Sequence, residues 1–443
     1  MDVGMYKLFF IFLLFGMIFT DLPLFPNNTV TRSLMFIISP IIFLILLILK
    51  GFRIELRVNS FVYLFLIYMF LSLLLSLILL NYVFIAEGVF VVYNKNLFIK
   101  TMEAFFSMAF LHFTVAYNLY FLMKRLSIKF LKRVLSFVFL FLTFCGVIEF
   151  FNPSLIDMFH VSPKEYDRLR LFNAEPSHAT LVYFIFGSMV IFLIKDKILR
   201  GSMLFIMFVI LILIGSKGFF ITLILSSFLL FIKNIKAIKL YPLFIIILLA
   251  LYFVFNNLIL PQLLIDLEKF SSFSTRFSGM LSAILILILM PLGTGYGTYL
   301  YFYPDILEKS YSIANQIFLA LFSIPLSSLE VDSMISTGQN LGAKATLPQL
   351  IMFSGWIGLL FFVFLFVKLK NSIRNSSLSK PEKLFLEFIT NVIFIQLIIG
   401  SEYNLLYCIW LPLAFIEVLN KREVLKDEAK ASLHSTSEPL STN

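Results

Sequence analysis

Long apolar segments, each nearly free of charged residues, repeat along the whole chain. About twelve of them approach the roughly 17–25 residues that a helix needs to cross a hydrocarbon core. Their apolar residues are continuous and do not alternate with polar ones, which favours helices over the strands of a membrane barrel. The segments are 5–20, 33–49, 60–80, 101–123, 134–151, 178–194, 199–215, 218–232, 241–260, 350–367, 384–400 and 405–419. The sequence therefore predicts an all-α polytopic membrane protein with about twelve transmembrane helices.

The composition agrees with this class and excludes several others. Of the 443 residues, 60% are hydrophobic and 14% are charged, whereas about 25% are charged in typical globular proteins. A soluble core cannot bury so much apolar surface, which excludes a soluble enzyme, a secreted disulfide scaffold and a disordered chain. Cys145 and Cys408 lie in apolar segments and have no neighbour at a metal-ligand spacing. We therefore expect no disulfide, no metal and no cofactor.

The basic residues predict the orientation of the helices. With the N-terminus inside, about 24 of the 35 Lys and Arg residues fall in inner connections or in the C-terminal tail, and about 11 fall outside. This asymmetry follows the positive-inside rule and predicts that both termini are cytoplasmic. Topology thereby accounts for the net charge of +10, so we expect no nucleic-acid partner.

The spacing of the apolar segments divides the chain into four parts. The runs 280–292 and 317–329 are too short for a core of about 30 Å at about 1.5 Å per residue, and we expect short helices on the outer membrane surface there. The tail is rich in Ser, Thr and charge, which is typical of disorder. The predicted parts are transmembrane helices 1–9 in 1–260, one large outer (periplasmic) loop in 261–349, transmembrane helices 10–12 in 350–419, and a disordered cytoplasmic tail in 420–443.

One candidate site lies at the outer start of a predicted helix, in the sequence RLRLFNAEPSHA of residues 168–179. Pro176 suits the first turn of a helix, where no N–H is needed, and Glu175 and His178 are then spaced to face the same way. A carboxylate beside an imidazole can orient it for proton transfer. Arg168 and Arg170 lie just upstream. The alternative is a capped helix end with solvated charges.

A second candidate is the turn Gly215-Ser216-Lys217-Gly218, which joins two apolar segments that are short for a full crossing. Lys217 should therefore lie recessed below the outer surface. A recessed cation is costly unless it has an anionic partner or its side chain reaches back to the membrane surface. Both alternatives remain open from the sequence.

A third candidate begins at Arg276 and ends in the sequence PLGTGYG of residues 291–297. Its glycines do not have the spacing of a dinucleotide fingerprint, and a tight turn that lets a ligand or another helix approach is the better interpretation. Arg276 alone would be interpreted as a surface arginine. His112, near the centre of a predicted span, is interpreted as a hydrogen-bonded packing residue. The carboxylates that lie near outer helix ends are interpreted as interfacial, namely Glu103, Glu149 and Glu402.

These motifs, taken in order, resemble the O-antigen polymerase and ligase family, which comprises the Wzy-type polymerases and the related lipid A-core ligases. Phe172–Thr180 is similar to its F-x-x-E-P-S-x-x-A motif, although Ala179 stands one place early. Gly215–Gly218 is similar to its G/S-S-R/K-G turn, and Arg276–Gly297 to an arginine followed by P-L-G-x-G-x-G. Leu350–Gly358 resembles the helix that closes the large loop.

The resemblance covers roughly residues 150–368 and favours a polymerase. The ligases usually carry a histidine near the end of the large loop, and residues 261–349 contain none. The resemblance implies a metal-independent glycosyltransferase, similar to the GT-C class. It would join undecaprenyl-diphosphate-linked oligosaccharide repeat units at the outer face of the bacterial inner membrane. A chain-length regulator and a flippase are candidate partners. The alternatives are a ligase-like glycan transferase and a lipid-linked oligosaccharide flippase or transporter.

The candidate residues suit such chemistry. A lipid diphosphate leaves with negative charge, which cations stabilise as it develops, and arginine adds a bidentate fork. The predicted diphosphate ligands are Arg168, Arg170, Lys217 and Arg276. His178 is favoured as the base for the acceptor hydroxyl, with Glu175 as its orienting partner; the reverse assignment, and a structural role for both, stay open. Gly295 and Tyr296 form a possible substrate loop.

Reporter fusions test the predicted orientation. Fusions after residues 57, 130 and 380 should report cytoplasm, because these positions follow the lysine- and arginine-rich connections. Fusions near residues 165 and 310 should report the outside. A cytoplasmic signal near 310 would contradict the orientation and move the candidate site to the wrong face of the membrane.

Overall fold

A computed structural model describes residues 3–23, 32–54, 60–161, 168–233, 272–323, 325–402 and 406–419. Its helices are α1 Val3–Ile18, α2 Met35–Leu49, α3 Phe61–Ala86, α4 Leu97–Arg125, α5 Ile128–Phe151, α6 Pro153–Asp157, α7 Pro176–Leu193, α8 Lys197–Ile214, α9 Lys217–Lys233, α10 Ser272–Leu289, α11 Tyr299–Phe322, α12 Leu329–Thr337, α13 Thr346–Asn375, α14 Lys380–Ile399 and α15 Tyr407–Leu419. The strands β1 Val91–Val92 and β2 Lys95–Asn96 form a small antiparallel hairpin.

Six of the described helices, α3, α4, α5, α7, α8 and α13, are long and apolar enough to cross a membrane. The protein is therefore an all-α membrane protein, as the apolar segments predict. Five shorter apolar helices accompany them, namely α1, α2, α15 and most of α9 and α10. The predicted span 241–260 and the predicted tail 420–443 lie outside the described residues.

The connections between helices sort into two groups, one at each end of the bundle. At one end the hydroxyl of Tyr93 donates to the carbonyl of Ile335 at 2.5 Å, and the N–H of Thr346 donates to the carbonyl of Ser401 at 2.9 Å. At the other end the N–H of Phe61 donates to a carboxylate oxygen of Glu417 at 2.9 Å. This sorting matches the predicted alternation of outer and inner connections; which end faces outward stays a prediction.

The glycine loop of residues 291–297 packs into a break in α13. At Gly355 the backbone leaves the helical conformation, with φ 55° and ψ −131°. The N–H of Trp356 then donates to the carbonyl of Pro291 at 2.9 Å, and the carbonyl of Met352 accepts the N–H of Thr294 at 2.7 Å. The loop therefore satisfies backbone groups that the break releases, which an apolar environment requires.

The two apolar runs of the predicted outer loop are not short separate helices. Residues 317–322 are the last turns of the 24-residue helix α11. Residues 280–289 are the later part of α10, an 18-residue helix that packs antiparallel on α11. Their location at the outer membrane surface stays a prediction. In that hairpin Phe273 contacts Phe318, and Ser282 lies 3.0 Å from the hydroxyl of Tyr303. The apolar run begins later than α10 because the buried side chains of the first turns of α10 include polar ones, such as Ser274 and Ser278.

Replacing Gly355 with Ala tests the role of the break. A Cβ at this position would collide with the carbonyl oxygen of Pro291, and an L-residue rarely adopts the backbone conformation found here. The conformational strain alone costs about 1–3 kcal/mol, so the melting temperature of the detergent-solubilised protein should fall. The matched control is Gly201→Ala in α8, where nothing lies within 4 Å of the added carbon and a gain of about 0.5–1 kcal/mol is expected. Equal melting temperatures for the two variants would contradict this account of the break.

Candidate functional site

A cavity of about 450 Å³ lies where three helices begin. The first residues of α7, α9 and α10 form its wall, together with Ile399 at the end of α14. A helix N-terminus carries the equivalent of about half a positive charge and presents unpaired N–H groups. Three such ends at one cavity favour an anionic ligand. We call this space the first cavity.

Three of the four cations predicted from the sequence line the first cavity. Arg168 precedes α7, Lys217 begins α9 and Arg276 lies in the second turn of α10. All three side chains are half-buried. The structure therefore brings together residues that are separated by as much as 108 positions in the chain. The position of Lys217 below the outer membrane surface stays a prediction.

Arg168 is held by the turn between α8 and α9. Its guanidinium donates to the carbonyl of Gly215 at 3.4 Å. Gly215 ends α8 in the left-handed conformation, with φ 65°, and a Cβ there would lie 3.3 Å from the Cδ of Arg168. Glycine is thus favoured at position 215 both by the backbone conformation and by the close approach of Arg168.

Arg170 does not belong to the first cavity, and its predicted role as a diphosphate ligand is corrected here. Its guanidinium Nη2 lies 2.8 Å from a carboxylate oxygen of Asp157 in α6, and its side chain is buried. Its backbone N–H donates to Glu149 at 2.9 Å. A buried arginine paired in this way stabilises the loop and is not available to a ligand. Sequence spacing could not show the pairing, because it joins separate elements.

Glu149 fixes the loop that precedes α7, a role that the sequence did not suggest. Its two carboxylate oxygens accept the N–H groups of Arg170 and Leu171 at 2.9 and 2.8 Å. Glu149 is 1% exposed, so its interpretation as an interfacial carboxylate is wrong. A buried carboxylate that accepts two backbone N–H groups forms strong, directional hydrogen bonds. These bonds fix the position of the loop beside the first cavity.

Glu175 is the only carboxylate among the residues that line the first cavity within the described chain. Its side chain is 55% exposed, it accepts the hydroxyl of Ser177 at 3.1 Å, and it lies 3.9 Å from a guanidinium nitrogen of Arg276. Desolvation raises the pKa of Glu175, but the charges of His178 and Arg276, with smaller effects of Ser177 and Lys344, outweigh it. The pKa of Glu175 is therefore lowered overall, and its carboxylate is ionised at neutral pH.

His178 lies one turn into α7 and is buried, with 5% exposure. It is not among the residues that line the first cavity. Its Nδ1 is buried and has no hydrogen-bond partner among the described residues. No hydrogen bond joins the described side chains of Glu175 and His178, although the imidazole is close enough to influence the carboxylate. The structure thus brings the pair together but opens only Glu175 to the cavity.

Gly295 and Tyr296 lie away from the first cavity, so their interpretation as a substrate loop is wrong. Tyr296 is 1% exposed; its N–H donates to Ser76 at 3.0 Å and its hydroxyl donates to Ser72 at 3.2 Å, both in α3. Gly295 has φ 75° and approaches the backbone of the same helix. The close approach of another helix, one of the two alternatives for these glycines, is what the structure contains.

His112 is a packing residue, as expected. Its Nδ1 accepts the indole N–H of Trp410 at 3.0 Å, and its ring stacks on Tyr407 with centroids 4.7 Å apart. These contacts tie α4 to α15 inside the bundle. His112 is not among the residues that line the first cavity.

A second cavity, of about 210 Å³, was not predicted. It lies beside the β1–β2 hairpin and is lined by three lysines, two carboxylates and a buried glutamine, namely Lys95, Lys100, Lys344, Glu103, Glu402 and Gln349. One signal was present in the sequence: in the predicted orientation these lysines lie on the outer side, against the trend of the positive-inside rule. Glu103 and Glu402 are thus cavity residues.

Comparison with known proteins adds no relative: no protein-family model matches the chain, and no curated protein matches it.

Proposed function

We propose that the protein is a polysaccharide polymerase that joins lipid-diphosphate-linked oligosaccharide repeat units, such as those of O-antigen or a related surface glycan. One observation carries the proposal: three helix N-termini and three cations converge on a cavity that also has an apolar side. A lipid diphosphate has the matching chemistry, with a charged head group and a hydrocarbon chain. The resemblance of the sequence motifs to the O-antigen polymerase family supports the same reading.

The first cavity would hold the donor. Arg168, Lys217 and Arg276 would contact the diphosphate, and the helix N-termini would add N–H donors. Apolar residues beside these cations would border the first units of the lipid chain, namely Ile221, Phe273, Phe277, Met280 and Ile399. The proposed substrate class thus follows from the combination of charge and apolar surface in one space.

In the proposed reaction, the bond between the anomeric carbon and the diphosphate oxygen breaks, and its electron pair leaves with the diphosphate. The oxygen of an acceptor hydroxyl forms the new bond to that carbon, and the hydroxyl proton passes to a base. The protein cations stabilise the charge that develops on the leaving group. They would supply here the positive charge that other transferases take from a metal ion.

Glu175 is the better-placed base. The sequence favoured His178, but Glu175 lines the first cavity with an exposed, ionised carboxylate, whereas His178 lies beneath the surface. Because glycosyl transfer passes through a transition state rich in positive charge on the sugar, a weak base suffices to remove the proton late.

We further propose about twelve spans in a GT-C-like arrangement, with the first cavity on the periplasmic face of a bacterial inner membrane. A chain-length regulator and a flippase are the proposed partners.

Replacing single cations tests the donor site. Arg276→Ala and Lys217→Ala should each lower polymerisation by about a hundredfold or more, because losing one contact to the developing charge costs roughly 2.7–4 kcal/mol. Lys217→Arg should keep more activity than Lys217→Ala, since phosphate responds mainly to charge. The matched control is Lys129→Ala, an exposed lysine of α5 at the other end of the bundle. The readout is the ladder of glycan chain lengths at equal protein level; a normal ladder from either alanine variant would remove that residue from the site.

The pH dependence identifies the base. With Glu175 as base, turnover should stay level through neutral pH and fall only below the usual glutamate range, about pH 4.3, because the pKa of Glu175 is lowered. Glu175→Gln should lower turnover at least a hundredfold, and His178→Gln should keep most of it. The assay uses purified protein with lipid-diphosphate-linked repeat units. An inactive His178→Gln variant, together with a wild-type fall near about pH 6.5 as for an imidazole base, would reverse the assignment.

A further inference from the structure

The second cavity lies at the same end of the bundle as the first. Its wall consists of the β1–β2 hairpin, the start of α4, the segment 338–344 and the start of α13. Its volume of about 210 Å³ is below the roughly 300–1,000 Å³ of pockets for drug-sized ligands. A single sugar ring is the size of ligand that such a space favours.

The charges around the second cavity leave an excess of positive charge. Lys100 pairs with Glu103 at 2.9 Å, and Lys344 pairs with Glu402 at 3.5 Å. Lys95 instead donates to the neutral carbonyl of Gly338 at 3.0 Å. Desolvation lowers the pKa of Lys95, and so does the nearby charge of Lys100, against a smaller opposite effect of Glu103. An anionic group placed among these lysines would relieve that repulsion.

Gln349 offers an unused hydrogen-bond acceptor at the same place. It is 6% exposed, it lines the second cavity, and its Oε1 has no hydrogen-bond partner among the described residues. Leaving a buried polar atom unpaired costs about 1–3 kcal/mol. A ligand hydroxyl would supply the missing donor. The second cavity therefore suits a ligand that carries both a negative charge and hydroxyl groups.

The two cavities lie near each other. Lys344 lines the second cavity, and its charge acts on Glu175 of the first. Gly279, one turn beyond Arg276 in α10, lies against Ala343, such that a Cβ there would be 3.5 Å from the Cα of Ala343. The second cavity is therefore close enough for one of its lysines to act on the carboxylate proposed as the base.

We propose that the second cavity binds the acceptor sugar and selects one that carries a carboxylate, such as a uronic acid. The lysines Lys95, Lys100 and Lys344 hold the carboxylate, and a sugar hydroxyl donates to Gln349. This assignment rests on the proposed function, because it takes the first cavity as the donor site. It adds the chemical class of the acceptor.

Direct binding tests the assignment without turnover. The probes are D-glucuronate and D-glucose, added to the purified detergent-solubilised protein and followed by saturation-transfer NMR. Glucuronate should bind at least tenfold more tightly than glucose. Lys95→Gln/Lys100→Gln should weaken glucuronate binding at least tenfold and leave glucose binding little changed. The matched control is Lys309→Ala, an exposed lysine of α11 that does not line either cavity.

The outcomes separate this assignment from the proposed function. Equal binding of glucose and glucuronate, or wild-type affinity in the double variant, would overturn it. So would full displacement of glucuronate by an equal concentration of inorganic phosphate, since the site would then bind charge alone. If the double variant does not fold, Lys100→Gln, at a partly exposed position, should still weaken binding several-fold. Arg276→Ala should bind glucuronate as the wild-type protein does. If the wild-type protein binds glucuronate selectively but forms no polymer, the second cavity still binds an acidic sugar and the proposed function is wrong.

Discussion

Backbone N–H and C=O groups inside a membrane need hydrogen-bond partners. The hydrogen bonds that satisfy these groups at the break in α13 help to position the candidate site. The break at Gly355 releases backbone groups that the loop at 291–295 takes up. This pairing fixes the C-terminal end of α10 against α13. Because α10 is one helix of 18 residues, its other end is positioned as well, and Arg276 lines the first cavity. A glycine loop far from the candidate chemistry thus positions one of its cations.

Positive charge is the second organising feature. In the predicted orientation, the positive-inside rule would account for the lysines and arginines of one end of the bundle, but not for those of the other. At that other end, Arg168, Lys217 and Arg276 line the first cavity, and Lys95, Lys100 and Lys344 line the second. The cations outnumber the carboxylates that line the same cavity in each group, and at the first cavity three helix N-termini add positive potential. Two adjoining spaces that both favour anions are what a transferase with a charged donor and a charged acceptor requires.

Helices and charges could be predicted from the sequence because both are local properties. The apolar segments locate most of the described helices outside 272–337, and Arg168, Glu175, Lys217 and Arg276 do meet at one cavity. What failed depends on contacts between distant parts of the chain. Arg170 forms an ion pair with Asp157, and the hydroxyl of Tyr296 donates to a serine of α3. The second cavity lies between the β1–β2 hairpin and the segment 338–344. Neither the composition nor the spacing of residues along the chain predicts these contacts.

The central claim is that the chain itself forms glycosidic bonds between lipid-linked units. The most direct test is the purified protein, reconstituted alone in liposomes with a synthetic undecaprenyl-diphosphate-linked repeat unit and followed by mass spectrometry. The account predicts products of two or more repeats on one lipid, with one undecaprenyl diphosphate released for each bond formed. Transfer of intact lipid-linked units across the bilayer without any new bond would contradict it and identify a transporter instead.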